Sequence, residues 1–165
     1  MITRDYKVQK DFDSIQKTEF LEEGFRMLRE KLNDNLLEIQ YIDGIVAKKL
    51  KDTDKEFECI LVNRNKIQSE ATLSLTSSLD KDKNNRKLYR YTFTDYFVGY
   101  DIVGGDDAIS TQSFSLEFDD YEMYWKSQDY ALGLGVRMNQ DEKLRINDIV
   151  ERCWNDWLHA IGINY

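Results

Sequence analysis

Carboxylates concentrated in residues 91–125 are the first candidates for chemistry in this sequence. This stretch contains no Lys, Arg or His, while the rest of the chain carries equal numbers of basic and acidic residues. The formal net charge of −8 therefore arises from this stretch, which we call the acidic segment. Because it is also rich in aromatic residues, it predicts a surface that meets a positively charged partner. Its eight acidic residues are Asp95, Asp101, Asp106, Asp107, Glu117, Asp119, Asp120 and Glu122.

Metal-dependent hydrolysis is one alternative for these carboxylates. Two divalent ions held by several carboxylates can activate a water molecule. However, acidic pairs beside glycines, as in Gly104–Asp107, are also ordinary turn chemistry, and a nuclease without a basic surface is handicapped. We therefore expect neither a metal nor another cofactor. The residues that this alternative would use are Asp101, Asp106, Asp107, Glu117, Asp119 and Asp120.

A possible calcium-binding motif elsewhere in the sequence is incomplete. Asp80, Asp82 and Asn84 copy the first three ligand positions of an EF-hand calcium loop. That loop also needs Gly at its sixth position and Glu at its twelfth, where this chain has Asn85 and Tyr91. We therefore interpret the stretch as a solvated loop between strands.

Nucleophilic catalysis has little support. His159 is the only histidine of the chain, and Cys153 is the cysteine nearest to it. Six residues on a helix correspond to about 600° of rotation, which places these two side chains on opposite sides. Cys59 and Cys153 lack metal-like spacing and are expected to be buried thiols in a reducing compartment. We therefore expect no catalytic residues and a protein that is not an enzyme.

The aromatic residues of the acidic segment indicate which residues would contact the positively charged partner. Tyr96, Phe97 and Tyr100 cannot all point inward from one strand, because successive side chains alternate between two faces. At least one large ring should therefore lie among carboxylates, as an anchor with a charged rim. The residues predicted to contact a partner are Tyr96, Tyr100, Asp101, Asp106, Asp107, Glu117, Asp119, Asp120, Tyr121 and Glu122.

Helices are predicted at both ends of the chain. An N-terminal helix with one apolar stripe should run from Ser14 to Asn33, capped by Asp13. Gly24 inside it weakens the helix by about 1 kcal/mol relative to Ala, so we expect a close packing contact there. A C-terminal helix should be opened by Asn147 and closed by Gly162. Its apolar stripe consists of Ile146, Ile149, Val150, Cys153, Trp154, Trp157, Leu158 and Ile161.

Between these helices the hydrophobic period changes to two, which is typical of strands. The segment from Asp119 to Tyr130 is ambiguous between helix and strand. The fold class is therefore α+β: an antiparallel sheet of about six or seven strands with an N-terminal and a C-terminal helix packed on one face. Residues 1–165 are expected to form a single domain. The strands are predicted near Leu36–Tyr41, Ile45–Ala47, Phe57–Leu61, Ala71–Thr76, Lys87–Val103, Phe114–Phe118 and Leu132–Met138.

Composition limits the classes of partner. A pI near 4.8 argues against direct binding to nucleic acid, since phosphates would be repelled. No apolar run is long enough for a membrane helix, and the N-terminus lacks the core of a signal peptide, so we expect a cytoplasmic protein without a membrane partner. Trp154 and Trp157 make the apolar face of the last helix wider than one sheet would cover. This width suggests a homodimer through that helix.

These observations favour a small, acidic, non-enzymatic interaction module of the inhibitor, immunity or chaperone type. It would dock a basic surface of a partner protein through an acidic-aromatic sheet face. Two alternatives remain open. One is a protein that holds a small ligand in a pocket among Tyr and Trp side chains, and the other is the metal-dependent hydrolase described above.

Overall fold

Two helices and eight strands make up the structure, a computed structural model that describes residues 12–65, 69–79, 96–105, 107–128, 130–131, 135–136 and 142–164. Neither helix in these ranges is long and apolar enough to span a membrane. In chain order the elements are α1 (Ser14–Ile39), β1 (Ile45–Asp52), β2 (Phe57–Asn63), β3 (Ser69–Ser77), β4 (Phe97–Gly104), β5 (Asp107–Phe118), β6 (Met123–Ser127), β7 (Tyr130–Ala131), β8 (Gly135–Val136) and α2 (Ile146–Ala160).

Six of the described strands form one antiparallel sheet in the order β1-β2-β3-β4-β5-β6, and β7 pairs separately with β8. Alternate residues of the six strands, such as Cys59, Leu73 and Phe114, join one hydrophobic core with the apolar stripes of α1 and α2. Both helices therefore cover the same face of the sheet. The α+β fold with an antiparallel sheet and two terminal helices is confirmed.

The predicted strands have different outcomes. The strands expected near Ile45–Ala47, Phe57–Leu61, Ala71–Thr76 and Phe114–Phe118 are confirmed as parts of β1, β2, β3 and β5. The ambiguous segment after Asp119 contains a turn and then β6. Other predictions lie partly or wholly outside the described residues. These are the first part of the strand at Lys87–Val103, most of the strand at Leu132–Met138, and the loop with Asp80, Asp82 and Asn84.

The two outer strands of the six-stranded sheet are protected in different ways. β1 carries Lys48, Lys49 and Lys51, and its register shifts between Lys49 and Lys51, which marks a bulge. Lysines and bulges both disfavour pairing of an exposed strand with another chain. β6 is covered by Leu144, whose backbone exchanges two hydrogen bonds with Trp125, at 3.1 and 2.8 Å between N and O.

α1 begins where the sequence predicts but ends later. The Asp13 side chain accepts a hydrogen bond from the Gln16 backbone N–H at 2.8 Å, and the Gln16 side chain accepts one from the Asp13 backbone N–H at 3.0 Å. These two bonds form a capping box. The predicted end at Asn33 is wrong, because the helix continues to Ile39 and buries Leu36 in the core.

The strand predicted at Leu36–Tyr41 is therefore also wrong. The alternation of Leu37, Ile39 and Tyr41 is typical of a strand with one buried face. However, Leu37 and Tyr41 are 68% and 91% exposed, so these residues do not form a buried face. The chain has no proline, and after α1 it reaches its first glycine only at Gly44, which adopts a φ of +86°. Between Gly24 and Gly44 the chain contains neither of the two strongest helix breakers, Gly and Pro, so nothing forces the helix to end at Asn33.

α2 confirms the predicted apolar stripe. All residues of the stripe are buried, and the Trp157 indole N–H donates to the Ala71 carbonyl at 3.0 Å, which joins α2 to β3. Trp154 meets Trp157 edge to face with 5.9 Å between ring centroids. Because both tryptophans are buried within one chain, α2 does not present the wide exposed face from which we expected a homodimer. That reason for dimerisation is removed.

Gly24 has the close packing contact that the sequence predicts. A Cβ atom at this position would lie 3.0 Å from Cζ2 of Trp125, which is tighter than an ordinary carbon contact. The indole of Trp125 also stacks on Phe20, one turn earlier on α1, with 5.3 Å between ring centroids. The absence of a side chain at Gly24 therefore lets β6 approach α1.

Filling this contact should destabilise the protein. We expect Gly24→Leu to lower the free energy of unfolding by about 1–2 kcal/mol, since the cost of overpacking against a buried indole exceeds the gain in helix propensity. The same substitution at exposed Glu22 should change it by less than about 0.5 kcal/mol. Urea unfolding of the two variants measures both values, and equal effects would contradict the packing role of Gly24.

Candidate interaction surface

The acidic segment does not form one continuous site, because β5 separates its carboxylates. β5 contains 12 residues from Asp107 to Phe118. At roughly 3.4 Å per residue its two ends lie about 37 Å apart. Asp107 stands at one end, whereas Asp119, Asp120 and Glu122 follow the other end. A two-metal site would have to bring these carboxylates together, and no group of three or more His, Cys, Asp or Glu in the described ranges is arranged to hold a metal ion.

Three of the predicted acidic contacts, Asp101, Asp107 and Glu117, lie on strands, and another falls outside the described residues. Asp101 on β4 accepts a hydrogen bond from the Thr111 hydroxyl at 2.8 Å. Glu117 on β5 accepts a longer one from Ser115 at 3.4 Å and lies opposite Tyr124 in the β5–β6 ladder. Asp106 lies outside the described residues. Asp101 and Glu117 are half-buried.

Tyr100 is buried, so its prediction as a partner contact is corrected. Its hydroxyl donates to Oδ2 of Asp156 at 2.5 Å, and the Ser110 hydroxyl donates to the same oxygen at 3.3 Å. Burial, and then the hydrogen bond to Asp156, raise the pKa of Tyr100 far above its usual range. Tyr100 therefore joins β4 to α2 inside the protein.

The argument that one ring of β4 must be exposed is also corrected. Phe97 and Tyr100 point to opposite faces of β4, yet they are only 1% and 0% exposed. Both faces of the sheet are therefore buried at this place. From the sequence we expected only one face of the sheet to be covered. Tyr96 is half-buried and packs against the core.

The turn between β5 and β6 carries two exposed aromatic residues of the acidic segment next to several of its carboxylates. We call Phe118, Asp119, Asp120, Tyr121 and Glu122 the turn surface. Tyr121 is 53% exposed and Phe118 is 44% exposed, so an aromatic ring stands on each side of Asp119 and Asp120. The Phe118 ring also contacts Phe12 with 5.7 Å between centroids, and Nζ of Lys17 lies 4.8 Å from its centre.

Asp119 holds this turn in one conformation. Its Oδ1 accepts hydrogen bonds from the backbone N–H groups of Tyr121 and Glu122, at 2.8 and 2.9 Å. The Asp119 backbone N–H in turn donates to the Glu122 carbonyl at 3.0 Å. Asp residues commonly stabilise turns through such bonds from their side chains to nearby backbone. The backbone of the turn surface is therefore preorganised.

Two bases from outside the acidic segment compensate part of its charge. Lys143 pairs with Asp119 and, at 3.4 Å, with Glu122, while Arg145 pairs with Glu122 at 3.0 Å. The expected surface of uncompensated carboxylates is thus corrected at these two residues. The Lys143 ammonium, assisted by the backbone N–H groups, lowers the pKa of Asp119 to about 2, and Arg145 lowers the pKa of Glu122.

A groove of about 360 Å³ lies beside the turn surface, between α1, β6 and the start of α2. Arg145 and Asn147 are exposed at its rim. The sequence analysis did not find this groove. Its only sequence signals are the glycine of α1 and the two large apolar residues on either side of it at helical spacing. The apolar lining is Phe20, Met27, Met123, Trp125, Leu144 and Ile146.

The cysteines and the histidine occupy the predicted environments. Cys59 and Cys153 are buried and free, as expected. Burial raises the pKa of the Cys59 thiol to about 11 and that of Cys153 well above its usual value. His159 is exposed, and its Nδ1 lies 3.2 Å from Oδ1 of Asn164. The predicted separation of Cys153 and His159 on opposite sides of the helix is confirmed.

Comparison with known proteins assigns the chain to a family. Residues 47–159 match the family model described as the Y4lF protein domain. This chain belongs to the Y4lF protein domain family. The matched residues include the turn surface, β6 and most of α2, whereas α1 precedes them. No curated protein and no solved structure matches the chain.

Two tyrosines of the predicted contact set should differ in their effect on stability. We expect Tyr100→Phe to lower the free energy of unfolding by about 2 kcal/mol, because it removes a hydrogen bond to a half-buried carboxylate. Tyr121→Phe removes an exposed hydroxyl and should change it by less than about 0.5 kcal/mol. Chemical denaturation separates the two cases, and a Tyr100→Phe protein as stable as the unsubstituted one would contradict the role of the Asp156 contact.

The carboxyl group of Asp119 should titrate near pH 2. Because this pKa lies below the ordinary value of 3.8, ionised Asp119 stabilises the folded state above pH 3.8, and this contribution is lost as the pH falls from there to about 2. We expect Lys143→Met to raise the pKa part of the way back, since the backbone hydrogen bonds remain. The ¹³C chemical shift of the carboxyl carbon reports the titration.

Arg145→Met is the control for this titration. It should raise the pKa of Glu122 and leave that of Asp119 unchanged, because Arg145 pairs with Glu122, whereas Asp119 pairs with Lys143. The same pKa for Asp119 with and without Lys143 would show that this ion pair does not form in solution.

Proposed function

We propose that this protein is a non-enzymatic interaction module that docks a basic surface of a partner protein through the turn surface. The observation that carries this proposal is the pair of exposed rings, Phe118 and Tyr121, on either side of Asp119 and Asp120. Large exposed aromatic residues with a polar rim are typical of the anchors that dominate binding energy at protein interfaces.

Electrostatics supports a basic partner. The formal charge of −8 arises from the acidic segment, and Lys143 and Arg145 compensate part of it by pairing with Asp119 and Glu122. Among the described residues, Asp101, Asp107 and Glu117 take part in no ion pair. A negative field of this kind accelerates encounter with a positively charged protein and repels nucleic acid.

The fixed conformation of the turn between β5 and β6 supports a role in binding. Asp119 fixes the backbone of Tyr121 and Glu122, and Lys143 and Arg145 fix the two outer carboxylates. Binding through a preorganised surface costs less conformational entropy than binding through a flexible one. Inhibitors that occupy basic clefts, immunity proteins and acidic secretion chaperones combine a similar size and charge, so the proposal covers these classes.

A small apolar ligand in the groove is the second candidate function. The volume of about 360 Å³ falls within the range of ligand pockets, and the lining is mainly apolar with a few polar groups at the rim. Native mass spectrometry of the purified protein tests this candidate, because a bound small molecule would appear as a constant added mass. A partner protein would instead be recovered only from cell extract.

Neutralising Asp120 of the turn surface together with Glu117, which lies next to that surface on β5, should slow association with the partner. The partner is captured from an extract of the source cell with the full chain, identified and purified, and its association rate is measured at several salt concentrations. We expect Asp120→Asn combined with Glu117→Gln to lower the rate constant several-fold at low salt and to flatten its salt dependence. Tyr121→Ala should act on dissociation, which should accelerate about tenfold or more.

A charge-matched variant provides the control. Asp34→Asn combined with Glu38→Gln removes the same charge from exposed positions of α1. Asp34 lies ten residues beyond Gly24 on α1, or about 15 Å, which exceeds the Debye length of roughly 8 Å at physiological salt. This control should change the association rate much less. Association that is equally fast in all variants, or a partner with an acidic binding surface, would refute the proposal.

A further inference from the structure

The groove and the turn surface form one continuous surface. Met123 and Tyr124 line the groove and follow Glu122 directly along the chain. Arg145 also lines the groove and pairs with Glu122 at 3.0 Å. A partner that covers the turn surface is therefore placed at the mouth of the groove.

The lining of the groove favours a large apolar group. Phe20 stacks on Trp125 to form one wall, and the half-buried thioethers of Met27 and Met123 line it too. Methionine side chains are flexible and polarisable, so they adapt to apolar groups of different shape. Gly24 adds no side chain that would fill the space.

Charged residues on the two sides of the groove point to a basic neighbour for that apolar group. Glu23 on α1 lines one side, and Glu122 of the turn surface lies next to the other. Glu23 and Glu122 are each held by an arginine, Arg26 and Arg145. These carboxylates can also accept hydrogen bonds from a cation of a partner, since a carboxylate has about four acceptor positions.

We propose, on the basis of the proposed function, that the groove receives a Leu, Met, Phe or Trp side chain of the partner, carried in a segment that also contains Lys or Arg. The apolar side chain enters between α1 and β6, and the neighbouring basic residues meet the carboxylates of the turn surface. A small ligand confined to the groove would leave the rings of Phe118 and Tyr121 uncovered, whereas a peptide segment covers both.

A substitution at the rim of the groove tests this proposal. A random-peptide phage library is selected on the full chain, and the affinities of the selected synthetic peptides are measured by fluorescence anisotropy. The selected sequences should combine a large apolar residue with Lys or Arg. Asn147→Trp, which fills the mouth of the groove, should weaken binding by about tenfold or more. Asn155→Trp, at an exposed position of the same helix, should leave the affinity within about twofold.

A second pair of variants keeps the test valid if the tryptophan disturbs folding. Asn147→Lys adds a positive charge at the rim and should also weaken binding of basic peptides, whereas Asn155→Lys should do so much less. Melting temperatures of all four variants show whether each one is folded. If both substitutions at Asn147 leave the affinity unchanged in folded protein, the proposed use of the groove is wrong.

The outcomes distinguish this inference from the proposed function. If the turn variant, Asp120→Asn with Glu117→Gln, weakens binding and the Asn147 variants do not, the interaction function stands and the groove proposal fails. If the selected peptides are not basic and no turn variant weakens their binding, both proposals fail. A small molecule that is released by Asn147→Trp in native mass spectrometry would overturn the groove proposal in favour of a ligand pocket.

Discussion

The packing of Trp125 on α1 at Gly24 is the contact on which both the sheet edge and the candidate surface depend. Its indole occupies the space next to Gly24, where a Cβ atom would lie only 3.0 Å from it, and it stacks on Phe20, while its backbone exchanges two hydrogen bonds with Leu144. One residue therefore joins α1, β6 and the segment that leads into α2. These three elements also form the walls of the groove. The packing of Trp125 therefore determines the shape of the groove.

The length of β5 determines what the acidic segment can do. A strand of 12 residues places the carboxylates of its two turns too far apart to coordinate one ion or bind one small group together. Their common effect is the field that they produce around the protein, which acts over distance on a partner of opposite charge. The local chemistry is left to the turn surface, where Lys143 and Arg145 fix Asp119 and Glu122.

Local sequence patterns predicted the elements better than the site. The cap at Asp13 and the close contact at Gly24 were predictable because capping and glycine packing depend on residue types at fixed spacing. The burial of Tyr100 was not, because it depends on the Asp156 carboxylate of α2, which lies 56 residues away. The pairing of Lys143 with Asp119 spans 24 residues and has no periodic signal. The negative charge of the acidic segment could be predicted from the sequence, but its partial compensation by Lys143 and Arg145 could not.

The family match begins after α1, so the proposed binding surface combines residues inside and outside the matched range. The residues that match the family, 47–159, contain the turn surface, whereas α1, which supplies Phe20, Gly24 and Met27 to the groove, precedes them. In the proposed mode of binding, carboxylates act mainly on the association rate, because their field extends beyond contact distance. An apolar side chain in the groove acts mainly on dissociation, because its contacts exist only in the bound state. Choice among basic partners would therefore depend on the groove, which α1 forms together with β6 and the start of α2, since charge alone does not distinguish one basic segment from another.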